Sequence, residues 1–213
     1  MNFKGVFITL EGGEGVGKTT QIKNIEEYFK QNNISYISTR EPGGIKISEK
    51  IREIILDKSN TDMDERTEAL LYAAARRQHL ADKVIPALKE GKIVICDRFI
   101  DSSLAYQGFA RGIGMKEVLA INEFAIEECM PDLTIYLDIE PVKGIQRVKN
   151  RKGEINRLDL ESLSFHEKVR QGYLKLLEVY PNRIKKISAE GTEEEVFYKI
   201  KELIGNSIKD NAK

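Results

Sequence analysis

The stretch Gly5-Val6-Phe7-Ile8-Thr9-Leu10-Glu11 runs directly into Gly12-Gly13-Glu14-Gly15-Val16-Gly17-Lys18-Thr19. The first part is a short apolar run of the kind that forms a buried strand. The second satisfies G-x-x-x-x-G-K-[ST], whose glycines permit a tight loop with backbone N–H groups turned inward on phosphate oxygens. Lys18 brings a charge to the β/γ-phosphates, and Thr19 a hydroxyl oxygen for a magnesium ion. Ile22, Ile25, Tyr28 and Phe29 then recur on one helical face. A helix therefore follows, with the positive end of its dipole aimed at the same anion. With glycine at about 7% of residues, such a pattern arises by chance in roughly one chain of this length in a hundred. The strand before it and the helix after it lower that further. The chain is expected to bind a nucleoside triphosphate.

Four more apolar runs follow: Ile34–Thr39, Lys92–Cys96, Leu133–Leu137 and Arg183–Ser188. Without strict alternation they read as strands buried on both faces. Between them lie helical patterns. Ile47, Ile51, Ile54 and Ile55 share one face, as do Val118, Ile121, Phe124 and Ala125. Thr192 and Glu195 have capping-box spacing ahead of the stripe Val196, Ile200, Leu203 and Ile204. This alternation predicts an α/β fold of three layers, a five-stranded parallel sheet between two layers of helices. No internal repeat or low-complexity linker divides the chain, so residues 1–213 read as one domain. The glycine- and charge-rich stretch Asn150–Ser164 is expected to be a mobile lid.

Composition narrows the function classes. Lysine plus arginine number 34 and aspartate plus glutamate also 34. A zero net charge argues against broad polyanion binding, and no nucleic-acid partner is expected. Hydrophobic residues at 41% supply a core and charged residues at 32% a solvated surface, which argues against disorder. No stretch approaches the ~18 apolar residues of a membrane span. The first apolar run ends at Glu11 without a cleavage site, unlike a secretory signal. Cys96 and Cys129 are too few for a disulfide framework, and His79 and His166 show no metal-ligand spacing with them. A cytoplasmic protein with reduced thiols, away from membranes, is the expectation.

Within the nucleotide-binding classes, a GTPase switch would need Asp-x-x-Gly and Asn-Lys-x-Asp, and neither occurs. The short chain favours a kinase acting on a small acceptor, which requires Mg²⁺, an in-line acceptor and cations around the transferred group. Asp97-Arg98 follows the third strand at the carboxyl edge, where open α/β sheets bind ligands. Asp97 is suited to hold Mg²⁺ through water, and Arg98 to grip an acceptor phosphate bidentately. From Arg147 to Arg157 there are five cations, including Lys149, Arg151 and Lys152, against one anion, Glu154. They suit a lid that closes over the phosphoryl group. Glu14 would repel a triphosphate unless it faces the acceptor, so its place inside the loop points to hydroxyl recognition.

Gly12–Thr20, Thr39-Arg40-Glu41-Pro42-Gly43-Gly44, Asp97-Arg98-Phe99, Ser102–Gly112, Tyr136-Leu137-Asp138 and Arg151–Asp159 together resemble bacterial thymidylate kinases. The resemblance extends in order over nearly the whole chain. It implies a P-loop kinase fold, transfer of a phosphoryl group from ATP to dTMP with Mg²⁺, and a homodimer built by helix packing. By the same resemblance Tyr72 would stack on thymine, Arg76 would bond its O4, and Ser103 and Gln107 would lie around the pyrimidine edge. Tyr106 would crowd the sugar 2′ position, and Glu14 would approach the 3′-hydroxyl. Arg98, helped by Arg52, would bind the acceptor phosphate, with Glu41 orienting the cluster. The ATP site would comprise Gly12, Gly13, Glu14, Gly15, Val16, Gly17, Lys18, Thr19 and Thr20. Arg147 is a candidate stacker on adenine and Ala189–Gly191 a candidate base-edge loop. Because Gly13–Val16 holds no cation, the resemblance implies a lid arginine as the catalytic cation, with Arg151 the first choice and Lys152 the alternative. Arg76 rather than Arg77 is favoured by its spacing from Tyr72. The alternatives left open are a kinase for another pyrimidine monophosphate, or a P-loop regulatory protein without catalysis.

Overall fold

A computed structural model describes residues 3–150 and 157–211. Five strands form one parallel sheet, β1 (Phe7–Glu11), β2 (Tyr36–Arg40), β3 (Ile93–Asp97), β4 (Leu133–Asp138) and β5 (Ile184–Ser188), in the order β2-β3-β1-β4-β5. Each expected strand is present within one or two residues. The central three are buried along nearly their whole length. The edge strands β2 and β5 are only partly covered, which corrects the expectation that all five are buried on both faces. An edge strand has one neighbour and less helix above it.

Strand alternation sends side chains into two cores. Phe7, Val94, Cys96, Tyr136 and Ile184 face one core, and Ile8, Leu10, Ile95, Ile135 and Ile187 the other. The second core is closed by α1 (Lys18–Gln31) and α9 (Glu193–Asn211), which pack on each other through Ile22, Ile25, Phe29, Val196, Ile200 and Ile204. The capping box forms as the spacing predicts. The Glu195 amide donates to Thr192 Oγ1 at 3.2 Å, and the Thr192 amide to Glu195 Oε2 at 2.9 Å.

The first core lies under α2 (Lys46–Leu56), α3 (Glu65–His79), α4 (Ile85–Lys89), α5 (Ile100–Ser103), α6 (Met115–Ile126) and α8 (Leu163–Val179). Asp64 caps α3 by accepting from the Arg66 and Thr67 amides at 3.0 Å each. A π-helical turn over Leu80–Val84 joins α3 to α4, and a second over Leu104–Ala110 extends α5. α7 (Pro141–Asn150) leaves the carboxyl end of β4 and leads toward the expected lid. Two predicted apolar faces are only partly covered. Ile55 is buried but Ile47 and Ile54 are about half exposed, and on α6 Phe124 is 89% exposed. Helical period places residues on one face without saying what covers it.

Candidate active site

The glycine loop turns at the carboxyl end of β1, between β3 and β4. Gly17, with φ 97°, caps α1 in the left-handed region and leaves the first helical amides open to a ligand. Gly15 has φ 69°, and a Cβ there would overlap the Gly144 carbonyl of α7. A Cβ on Gly144 would in turn overlap the Glu14 carbonyl. The loop and the helix thus touch backbone to backbone. Lys18 Nζ donates to the Gly12 and Gly13 carbonyls at 3.0 Å each and is 8% exposed. Burial, with Arg98 nearby, pulls its pKa down while Asp97 and Glu14 oppose.

A cavity of about 460 Å³ opens over this loop. Gly15, Val16, Gly17, Lys18, Thr19, Thr20 and Arg147 line its loop end. Glu14, Glu41, Arg52, Tyr72, Arg76, Asp97, Arg98, Ser103, Tyr106 and Gln107 line the rest. Of the expected site residues that the structure describes, Gly12, Gly13 and the Ala189–Gly191 loop do not face it, and Gly13 borders a smaller neighbouring pocket with His166 and Arg170.

Arg98 stands at the junction of the two ends. Its backbone is left-handed, with φ 67°. Nη2 donates to Glu14 Oε1 at 2.6 Å and Nη1 to Ser102 Oγ at 3.2 Å, and the guanidinium lies 5.1 Å from the Tyr106 ring centre. Tyr106 donates its hydroxyl to the same Glu14 oxygen at 3.0 Å. Burial alone would raise the Glu14 carboxyl, but Arg98, Lys18 and the Tyr106 hydroxyl overcome it and hold the pKa at about 2. Glu14 is therefore a carboxylate turned away from the loop amides and toward the Arg98 side.

Several expectations change. Glu41 does not touch Arg98 or Arg52. It accepts from Arg76 Nε at 2.7 Å and contacts His79 Nδ1 at 2.9 Å, so it orients Arg76, and Glu14 takes the Arg98 partnership. Arg52 instead donates Nη1 to the Pro42 carbonyl at 2.9 Å. Arg76 is buried over Phe99 and donates Nη1 to Ser103 Oγ and Asn122 Oδ1. Arg77 turns outward to Glu127 and the Ala125 carbonyl. Tyr72 lines the cavity, its hydroxyl pKa raised by burial and by Glu68. Gln107 Nε2 donates to Glu68 Oε1 at 2.8 Å. Arg157, one of the expected lid cations, is tied down by Glu68 and donates Nε to the Ile55 carbonyl at 2.9 Å. A buried carboxylate outcompetes open solvent for that guanidinium. Arg151 and Lys152 lie outside the described residues. Arg147 reaches the expected base-edge loop, donating both Nη atoms to the Ala189 carbonyl at 3.3 Å.

The residues present suit a hard divalent cation. Asp97 Oδ1 is buried without a hydrogen-bond partner, and Asp97 shares the cavity with the Thr19 hydroxyl. Among the described residues no cluster of three or more His, Cys, Asp or Glu side chains forms a metal cage, so phosphate oxygens and water would complete the shell. The same residues include no helix long and apolar enough to cross a membrane.

Sequence reasoning did not bring Glu11, Ser102 and Tyr173 together beside Arg98. Glu11 reads as a strand end and Ser102 only as part of a longer motif. Tyr173 lies 71 positions from Ser102 with no local signal. Its hydroxyl nonetheless lies 3.5 Å from Arg98 Nη1.

Residues 10–200 match the family model described as thymidylate kinase. The chain is 70% identical over 199 residues to a thymidylate kinase of Clostridium novyi (strain NT), covering 93% of this chain and 97% of that one. It is 58% identical over 210 residues to a thymidylate kinase of Oceanobacillus iheyensis, covering 98% and 93%. The crystal structure of thymidylate kinase from Ehrlichia chaffeensis superposes with a TM-score of 0.75 at 30% identity, over 94% of this chain and 98% of that one.

Proposed function

The chain belongs to the thymidylate kinase family and phosphorylates dTMP to dTDP with ATP as donor, and from that premise we propose which residues of the cavity perform the transfer. The observation that carries the reading is the juxtaposition, in one cavity, of the phosphate loop with Lys18 and of Arg98 held over Tyr106.

The ATP phosphates occupy the loop, wrapped by the amides that open α1 and met by Lys18. Adenine lies against Arg147, beside Ala189–Gly191. The dTMP phosphate docks on Arg98, with Arg52 nearby and Glu14 and Tyr106 beneath the sugar. Thymine enters between Tyr72 and the Arg76, Ser103 and Gln107 group. Glu41 holds Arg76 toward that end. Asp97 and Thr19 would hold Mg²⁺, which would neutralise charge on the phosphates during transfer. Transfer needs no covalent intermediate. The cavity aligns donor and acceptor, and cations stabilise the charge spread over the transferring group. Arg151 supplies the lid cation of that set.

Two further assignments belong to this reading. α2 and α6 both pack on α3, and Ile47, Ile54, Leu70 and Phe124 on these three helices are exposed. Apolar exposure on three helices packed together suits a second copy of the chain, so the protein acts as a homodimer. Cys96 and Cys129 are buried free thiols, compatible with work in the reducing cytoplasm.

ADP release with Mg-ATP across dTMP, ribothymidine monophosphate, dUMP, dCMP and UMP tests the site. Turnover per KM should be highest with dTMP. Equal use of the ribonucleotide would remove Tyr106 from its place beside the 2′ position.

A further inference from the structure

Glu11 closes β1 immediately before the phosphate loop, wholly buried, and the transfer described above does not use it. Its two oxygens are fully engaged. Oε1 accepts the Phe99 amide at 2.7 Å. Oε2 lies 2.5 Å from Ser102 Oγ and 2.8 Å from the Tyr173 hydroxyl, and those two hydroxyls are 2.8 Å from each other. Both hydroxyls donate to Oε2, so this one carboxyl oxygen holds Ser102 and Tyr173 together. Lone pairs remain on both hydroxyls, and Arg98 Nη1 points at both, 3.2 Å from Ser102 and 3.5 Å from Tyr173.

We propose that Glu11 is a positioning residue for the acceptor-phosphate clamp: through the Ser102 and Tyr173 hydroxyls it fixes the Arg98 guanidinium, and through the Phe99 amide it fixes the backbone from which Arg98 projects. The proposal rests on the reading of Arg98 as the dTMP-phosphate ligand. Arg98 is a non-glycine residue in the left-handed region, a conformation that persists only when its surroundings over-determine it. Here they do. The Arg98 amide donates to the Leu10 carbonyl at 2.9 Å, its carbonyl accepts the Cys96 thiol at 3.1 Å, and the next amide is the one Glu11 accepts. Tyr173 is itself held by stacking on Tyr136, ring centres 4.8 Å apart. Tyr136 is the residue of β4 in register with Glu11. Burial, and the Asp101 carboxylate on α5, raise the Glu11 pKa to about 7 against the two hydroxyl hydrogen bonds and Arg98.

Glu11→Gln can keep the Phe99 bond through its amide oxygen but places a nitrogen that only donates where both hydroxyls donate, so neither hydroxyl keeps its acceptor. The test is a double-mutant cycle with Arg98→Ala, reading KM for dTMP and for ATP. Glu11→Gln should raise KM for dTMP about fivefold and leave KM for ATP within about twofold, as loss of one polar contact at the clamp implies. In the Arg98→Ala background the same change should add almost nothing. If Glu11→Gln multiplies KM equally in both backgrounds, or shifts both substrates together, the positioning role is overturned while the Arg98 reading stands. If Arg98→Ala itself leaves KM for dTMP unchanged, the Arg98 reading falls and this proposal with it. Should Glu11→Gln fail to fold by circular dichroism, Tyr173→Phe takes its place in the cycle, and additivity there overturns the proposal.

Discussion

Replacing Glu11 by glutamine should change how stability depends on pH. The carboxyl is raised from the model-compound value of 4.5 to about 7. Burial contributes most and Asp101 adds to it, against the Ser102 hydrogen bond, Arg98 and Tyr173. In the unfolded chain Glu11 loses its proton near pH 4.5, while the folded protein keeps it until about pH 7. Across that window the folded state binds the extra proton, so the Glu11 contribution is fully present below pH 4.5 and is lost as pH rises through 7. Integrating the two titrations gives a loss of about 2–3 kcal/mol between pH 5 and pH 8. Glutamine does not titrate. The stability of Glu11→Gln relative to the parent should therefore improve by that amount from pH 5 to pH 8. For a chain of this size that is a relative gain in Tm of about 5–10 °C. Urea unfolding of both proteins at half-unit pH steps measures it, and taking the difference cancels every other titrating group. A difference constant to within about 0.5 kcal/mol over the range would mean that Glu11 is ionised in the folded state throughout, and the argument from burial would be wrong.

Three other outcomes are expected. Arg98→Ala should raise KM for dTMP about a hundredfold, the scale of losing a charged phosphate contact, with a much smaller change for ATP; initial-rate kinetics with each substrate varied in turn decide it. Arg151→Ala should lower turnover at least about a hundredfold with mild effects on both KM values, and wild-type turnover in that variant beside a loss in Lys152→Ala would move the lid cation to Lys152. Phe124→Glu should leave a monomer in sedimentation equilibrium, since a charge cannot be buried unpaired in an apolar interface, and an unchanged dimer would place the contact elsewhere.

Much of this was legible in the sequence because the signals are local. A phosphate loop is a run of consecutive residues, and its strand and helix flank it directly. The central strands announce themselves as unbroken apolar runs because both their faces are covered. Asp97-Arg98 could be placed at the cavity because the end of a strand defines the end of the sheet. What was not legible depends on partners far along the chain. Glu41 was assigned to the Arg98 cluster, but it meets Arg76 and His79, 35 and 38 positions away. Arg157 was counted among the lid cations, but Glu68 lies 89 positions before it and claims its guanidinium. No periodicity in either segment records those meetings. The same limit applies to Phe124 and Ile47, where the sequence marks an apolar face and only the packing reveals that nothing in the described chain covers it.

The approach of Gly15 to Gly144 has a mechanical consequence. Because the contact is main chain against main chain, no side chain lies between the phosphate loop and the helix that leads to the lid. The loop and the first turn of α7 are therefore locked to each other, and a displacement of one must carry the other with it. A push on the loop from bound phosphates reaches α7 with no rotamer to absorb it. Surface substitutions along α7 leave this linkage intact, whereas a single methyl group at either glycine would uncouple it.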